Sequence, residues 1–258
     1  PSCSLVPAAI IAFASGALPF MAAAADGGKG TAAPQRWRVE FKRQATDRGT
    51  AEETTKSQFK LEYLPDGAVE LLRLEAPFPD EKTDFAGDPS NPRLGDVKMR
   101  VGFRAVSVRG RPLASFFELT LPTASPESLG SGKYQLSVGL RTRLPLAWRE
   151  GASGQFFSAQ IQQVASIAGD AARNDINQTK FEFELRQDWS QQRLLKFTVK
   201  PVIDWVQDAR TGAVGELEGG WGIGRDWTLA VMGGALLWGE GVPSTYGKRV
   251  ELKAARRF

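Results

Sequence analysis

From residue 36 to the end, apolar and polar residues alternate with a period of two, and no long stretch keeps the 3.6-residue period of a helix. Trp37, Val39 and Phe41 alternate with Arg38, Glu40 and Lys42. Val97, Met99, Val101 and Phe103 alternate with Lys98, Arg100 and Arg104. The last stretch sets Val250, Leu252, Ala254 and Phe258 against Arg249, Glu251, Lys253 and Arg257. A strand sends successive side chains to opposite faces, so each stretch reads as a strand with one apolar and one charged face. Twelve strands are predicted: 36–44, 56–64, 68–77, 94–107, 112–122, 133–146, 153–167, 176–189, 193–206, 214–223, 227–238 and 246–258. Two are irregular. Within 68–77 both parities are apolar, which leaves the register open. Within 153–167 the phase is lost near Gln162-Gln163, which predicts a bulge there.

The connectors add a second pattern. Short ones, such as Pro65-Asp66-Gly67, Arg109-Gly110-Arg111 and Gly224-Arg225-Asp226, alternate with longer polar ones such as 45–55, 78–92 and 123–131. Tight turns at one end and longer loops at the other are the topology of a transmembrane barrel. The large aromatics follow the same frame. Trp37, Trp148, Trp189, Trp221 and Trp227 fall at the turn end, Trp205 and Trp238 at the loop end, and Tyr63, Tyr134 and Tyr246 also near strand ends. An indole or phenol prefers that depth because its ring seeks the apolar edge and its polar atom seeks water. An antiparallel sheet with one wet face alternates too. Loop alternation, Trp placement and the terminal Phe258 favour an all-β, transmembrane, antiparallel up-and-down barrel of about twelve strands over 36–258. An even count places both barrel ends on the periplasmic side. Arg256 shares parity with the lipid-facing residues and is expected to snorkel to the headgroups.

Composition removes several functions. The net charge is +4 and the basic residues are dispersed, so no nucleic-acid patch forms. There is no His and a single Cys, Cys3. An internal disulfide, a Cys/His zinc site and any catalysis with a His base are therefore excluded. Glu182 and Glu184 are same-face neighbours in a charged wall, so no catalytic residue and no cofactor is assigned. Leu5–Ala25 is apolar and Ala-rich, and Ala22–Ala25 precede Asp26. Residues 1–25 read as a signal peptide, with a membrane anchor as the rival, and 26–35 as a flexible mature N-terminus. The loop Pro79–Asp88 holds four carboxylates and reads as a solvated loop, with divalent-ion binding as the alternative.

Three short motifs carry a resemblance. Leu94-Gly95-Asp96 starts a strand, Leu121-Pro122-Thr123 ends one, and Gly130-Ser131-Gly132 precedes the next. Together they resemble the outer-membrane family labelled for the MetA pathway of phenol degradation, although Ala124 stands where members commonly have Gly. The resemblance covers about 93–135. It implies a small barrel in a Gram-negative outer membrane and a passive channel for small hydrophobic or aromatic solutes. The partners expected are outer-membrane lipid, the solute, and the barrel-assembly machinery, whose C-terminal signal Phe258 resembles. A structural or adhesive barrel without transport is the second reading, and a His-free enzyme the third. In a barrel the polar parity lines the interior. Lys98, Arg100, Arg104, Arg141 and Arg143 are then the candidate basic patch of a constriction, with Glu118, Glu182 and Glu184 as its acidic members. These charges either brace the wall in pairs or filter a solute.

Overall fold

The computed structural model describes residues 36–47, 50, 54–79, 93–125, 129–146, 154–190 and 193–258. The segments 1–25 and 26–35, the acidic loop beyond Pro79, and Trp148 lie outside the described residues. Thirteen strands follow in order: β1 Trp37–Thr46, β2 Thr54–Tyr63, β3 Val69–Pro79, β4 Val97–Phe103, β5 Val106–Val108, β6 Arg111–Leu121, β7 Lys133–Pro145, β8 Gln155–Gly169, β9 Asn177–Ser190, β10 Arg193–Asp204, β11 Arg210–Ile223, β12 Trp227–Trp238 and β13 Lys248–Arg257. All pairings are antiparallel. β4 and β5 are two pieces of one crossing, interrupted at Arg104 and Ala105, and both pair with β6. β1 pairs with β13 from Arg38↔Arg257 to Thr46↔Arg249, so twelve crossings close into a barrel.

The closing seam is fixed at both ends. At the turn end the Phe258 N–H donates to the Trp37 carbonyl at 2.9 Å. At the loop end the Asp47 N–H donates to the Lys248 carbonyl at 2.7 Å, and the Lys248 N–H returns to Asp47 Oδ1 at 2.6 Å. Closure removes the unpaired edges that an open sheet would expose.

Alternation sorts the side chains inside out relative to a soluble domain. Phe41, Leu74, Met99, Phe117, Leu185 and Leu252 are exposed on the outer wall, whereas Glu40, Lys60, Glu118, Glu216 and Glu251 are buried on the inner one. A soluble sheet would cover the first set and wet the second.

The two irregular strands resolve differently. In β3 a register shift between Val69 and Leu71 separates two apolar runs, after which Arg73 and Glu75 point inward and Leu72 and Leu74 outward. β8 has no bulge at Gln162-Gln163, for it pairs with β9 without a break from Gln155↔Gln187 to Ala165↔Asn177. The extra residue is Ile167, where β7 shifts between Tyr134 and Gln135. Periodicity misled because Val164 is buried on the inner wall while Gln163 points outward. There Gln163 accepts from the Thr179 hydroxyl at 2.6 Å and donates to Asn177 Oδ1 at 2.7 Å. A lipid-side amide is tolerable when its bonds are met laterally.

The six described Trp are exposed and lie at strand ends. Trp37 packs on Tyr63 with ring centroids 4.6 Å apart. The Arg256 guanidinium lies 4.5 Å from the Phe258 ring and 5.5 Å from that of Trp227, so cation–π contacts hold it on the apolar face. Tyr246 departs from expectation: it is 6% exposed and points into the barrel, not into an outer girdle.

The three motifs meet at the loop end of β4, β6 and β7. The Ser131 N–H and hydroxyl both donate to Asp96 Oδ2, at 2.6 and 2.7 Å. Thr123 donates its hydroxyl to the Gly95 carbonyl and accepts from the Val97 N–H, each at 3.0 Å. A Cβ on Gly130 would strike Asp96 and the Ala124 methyl. The motifs therefore fasten three strands together.

One aromatic points inward at mid-strand. Phe116 is 5% exposed, its ring lies over Gly139 on β7, and the Arg100 guanidinium stacks 4.3 Å from its centroid. Any Cβ at position 139 meets that ring. Gly139→Val is expected to cost about 1–3 kcal/mol by overpacking. The check is urea unfolding in detergent, with the shift between folded and boiled gel mobility confirming that a barrel still forms.

Candidate functional site

Among the described residues the interior gathers the largest group of linked charges. Glu40 is 1% exposed and sits among three cations: Lys60 Nζ at 2.8 Å, an Arg38 nitrogen at 2.7 Å and Lys42 Nζ at 3.5 Å. Glu62 is shared between Arg73 at 2.7 Å and Arg38 at 3.4 Å. The alternation of β1, β2 and β3 places these groups at adjacent register positions, Glu40↔Lys60 and Glu62↔Arg73. Each carboxylate thus has more than one partner, as a buried charge requires.

A second ladder runs over β13, β11, β10 and β9. Lys253 and Lys196 hold Glu218 at 2.8 and 3.1 Å, and Lys196 reaches on to Glu184 at 3.8 Å. Lys200 and Arg249 hold Glu216 at 2.6 and 3.5 Å. β12 lies between β11 and β13 and presents Ala230, Met232 and Gly234 inward, with no charge. The long side chains of β13 therefore cross over β12 to the carboxylates of β11. β8 likewise carries no charged residue, and Ser158 and Gln162 form part of a neutral polar wall there.

The loop between β12 and β13 folds into the loop-end mouth. The Tyr246 hydroxyl donates to Glu216 Oε1 at 2.7 Å, and the Ser244 hydroxyl donates to Gln178 Oε1 on β9 at 3.1 Å. Gly234 leaves the space that the Tyr246 ring and hydroxyl occupy. Arg249 stacks 3.7 Å from the centre of the same ring. Burial, and after it the Glu216 carboxylate, push the Tyr246 hydroxyl above the ordinary phenol range, so it stays protonated and keeps donating.

Between these ladders lies a cavity of about 300 Å³. Its lining carries seven Lys or Arg side chains and four Glu. All four Glu are committed: Glu216 and Glu218 as above, Glu251 to Lys42 at 3.7 Å, and Glu75 to Gln58 at 2.8 Å and Arg73 at 3.5 Å. Lys56 and Lys98 line the cavity with no ion-pair partner among the described residues.

The sequence-predicted patch does not assemble as one group. Lys98 lines the cavity. Arg100 is taken by Glu118 through two nitrogens, at 2.6 and 2.8 Å. Arg104 is exposed at the break between β4 and β5, because the chain leaves the sheet there and its N–H bonds the Ala68 carbonyl instead. Arg141 and Arg143 lie toward the turn end and are exposed, with Arg143 stacked 4.0 Å from the Phe156 ring. Glu184 joins the ladder through Lys196, while Glu182 has no ion pair among the described residues but stands opposite Gln160 in register. Sequence reasoning missed Lys56, Arg73, Glu75 and Tyr246. Lys56 shares parity with Lys60 and Glu62, a signal that was present. Among the described residues no three His, Cys, Asp or Glu side chains are placed to hold a metal ion.

No family model and no curated protein matches the chain. Solved barrels do. The COG4313 outer membrane channel from Pseudomonas putida F1 superposes with a TM-score of 0.63 at 13% identity, over 91% of this chain and 100% of that one. The NanC porin gives 0.60 at 7% identity over 86% and 100%. A KdgM porin in complex with disordered oligogalacturonate gives 0.59 at 7% over 86% and 99%. At such identities the likeness is one of fold.

Glu40, 1% exposed, holds three cations in the lumen. Glu40→Gln leaves Arg38, Lys42 and Lys60 facing one another and is expected to cost about 3 kcal/mol, the low end for breaking a buried pair. Urea unfolding in detergent measures it. The charge-balanced double variant with Lys60→Gln should recover part of the loss.

Proposed function

We propose that this chain is a passive outer-membrane channel for small polar solutes. The observation that carries the reading is the inversion of burial: an exposed apolar outer wall around a charged interior that holds a cavity of about 300 Å³. Lipid outside and water inside make that arrangement favourable, and a closed barrel meets every backbone hydrogen bond without water from the outer face. On this reading the outer wall contacts outer-membrane lipid, and the Trp residues at both ends lie at headgroup depth. The turn end faces the periplasm of a Gram-negative cell. Residues 1–25 export the chain, and the barrel-assembly machinery reads Phe258.

The resemblance to the MetA-pathway family implies hydrophobic or aromatic solutes. The lining favours polar ones instead. A hydrophobic molecule gains nothing from Lys56, Lys98 or Glu251, and it would strip water from them as it passed. A cavity of about 300 Å³, beneath the folded loop at the mouth and between ladders along the wall, suits small solutes rather than open diffusion.

Purified protein in planar bilayers should give discrete conductance steps in KCl, and liposomes carrying it should swell in small polar solutes but not in large ones. A tight barrel in both assays overturns the channel. Equal flux of benzene-like probes and small polar solutes overturns the solute class.

A further inference from the structure

The cavity holds more positive than negative charge, and the surplus is not spread evenly. Lys42, Lys196, Lys200, Arg249 and Lys253 each share a carboxylate, whereas Lys56 and Lys98 share none among the described residues. Glu75 stands opposite Lys98 in register, yet its carboxylate turns to Gln58 and Arg73. Lys56 stands opposite Gln44 and Pro79, neither of which can neutralise it.

The two lysines come from β2 and β4, with β3 between them. Lys56 stands opposite Pro79 and Lys98 opposite Glu75, so two strand spacings and four residues of β3 set their backbones about 16 Å apart, and only their long side chains bring them to the cavity that both line. The β3 wall that separates them at the cavity is Pro77, which offers no charge and no N–H. Both lysines are in the loop-side part of their strands, beneath the folded 239–247 mouth. A third lysine, Lys180 on β9, also has no ion-pair partner among the described residues. Three strands, β6, β7 and β8, separate β9 from β4 along the wall, so Lys180 and Lys98 face the lumen from well-separated parts of the barrel. Three inner-wall carboxylates are held elsewhere, Glu118 by Arg100, Asp204 by Gln178 and two backbone N–H groups, and Glu251 by Lys42, while Glu182, two residues from Lys180, forms no ion pair with any of the three lysines among the described residues.

Ammonium groups that line a polar cavity without an ion-pair partner favour a mobile anion. We propose that Lys56 and Lys98, with Lys180 across the lumen, form a binding site for small carboxylate anions, dicarboxylates above all. Lysine acts here as a point charge on a flexible stem, so the site selects by charge and size rather than by a fixed two-pronged geometry. The flexible four-carbon stems of two lysines that line one cavity let both ammonium groups close on the two carboxylates of a short chain. Binding has to be weak for passage, because a channel site must release what it captures. The inference deepens the channel reading and rests on it for its role in transport, but the site itself is a property of the barrel.

The test has two arms on the whole protein in detergent or bilayers. Calorimetric titration should show succinate binding, acetate binding more weakly, and the neutral succinamide not at all. Lys56→Gln and Lys98→Gln each break no ion pair, so folded gel mobility should be retained. Each should weaken succinate roughly fivefold, the factor for one unit charge at about 4 Å in the dielectric of water, and the pair roughly 20-fold. Lys133→Gln, a matched loss of charge at the loop-end start of β7, should leave binding unchanged. In bilayers under a salt gradient, the wild type should favour chloride over potassium and the double variant should lose that preference. Succinate binding that is absent, or equal in wild type and double variant, overturns the site. Conductance without anion preference or succinate binding leaves the channel standing and removes the site. Succinate binding by a protein that never conducts upholds the site and removes the channel.

Discussion

Charge neutralisation in a narrow lumen is the constraint on which the structure depends. The closed sheet forces every second side chain inward, and many of those side chains are Lys, Arg, Asp or Glu. Twelve crossings make a lumen too narrow for each charge to keep its own full shell of water. Glu40 shows the consequence, since three cations surround one carboxylate that is 1% exposed. Most inward carboxylates are treated in the same way, and the pairings link strands that are not always neighbours. Lys253 reaches Glu218 over β12, and Lys196 joins β11 to β9 across β10. Backbone bonds hold adjacent strands together. The side-chain ladders hold the next ones.

The architecture was largely legible because a strand has a period of two and a barrel has two unlike ends. Alternation located twelve crossings, and the connector lengths separated the turn end from the loop end. What the pattern missed was local and has a physical reason in each case. A polar residue can face lipid when its neighbours satisfy it, as Asn177 and Thr179 do for Gln163. An apolar one can face inward when a glycine makes room, as Gly139 does for Phe116. Period counting scores both as errors of phase. Tyr246 looked like a girdle residue because it lies near a strand end. Which way a loop folds is invisible to periodicity, and here Glu216 draws the hydroxyl inward.

The site was legible as a parity and not as a set of partners. Reading the polar face identified Lys98, Arg100, Glu118 and Glu184 as inward residues. It could not say that Arg100 spends its charge on Glu118, or that the chain leaves the sheet at Arg104. Those facts follow from register, and register is fixed by strand pairing across the whole sheet. Arg73 and Glu75 were hidden for a related reason, because the shift after Val69 makes both parities of β3 look apolar until the offset is known.

The same pairing explains why function can concentrate on few residues in so charged a lumen. A lysine already held by a carboxylate presents little net field to a solute, and removing it would leave that carboxylate exposed. Such residues are bound to the wall. The freedom to meet a mobile solute belongs to groups that the wall does not need. Among the described residues these include the lysines on β2, β4 and β9, placed where β3 turns a proline to the cavity and β8 carries no charge. Had β8 supplied one carboxylate near Gln162, Lys180 would have joined the ladder. The absence of charge on β8 therefore contributes as much to the character of the lumen as the charges that are present.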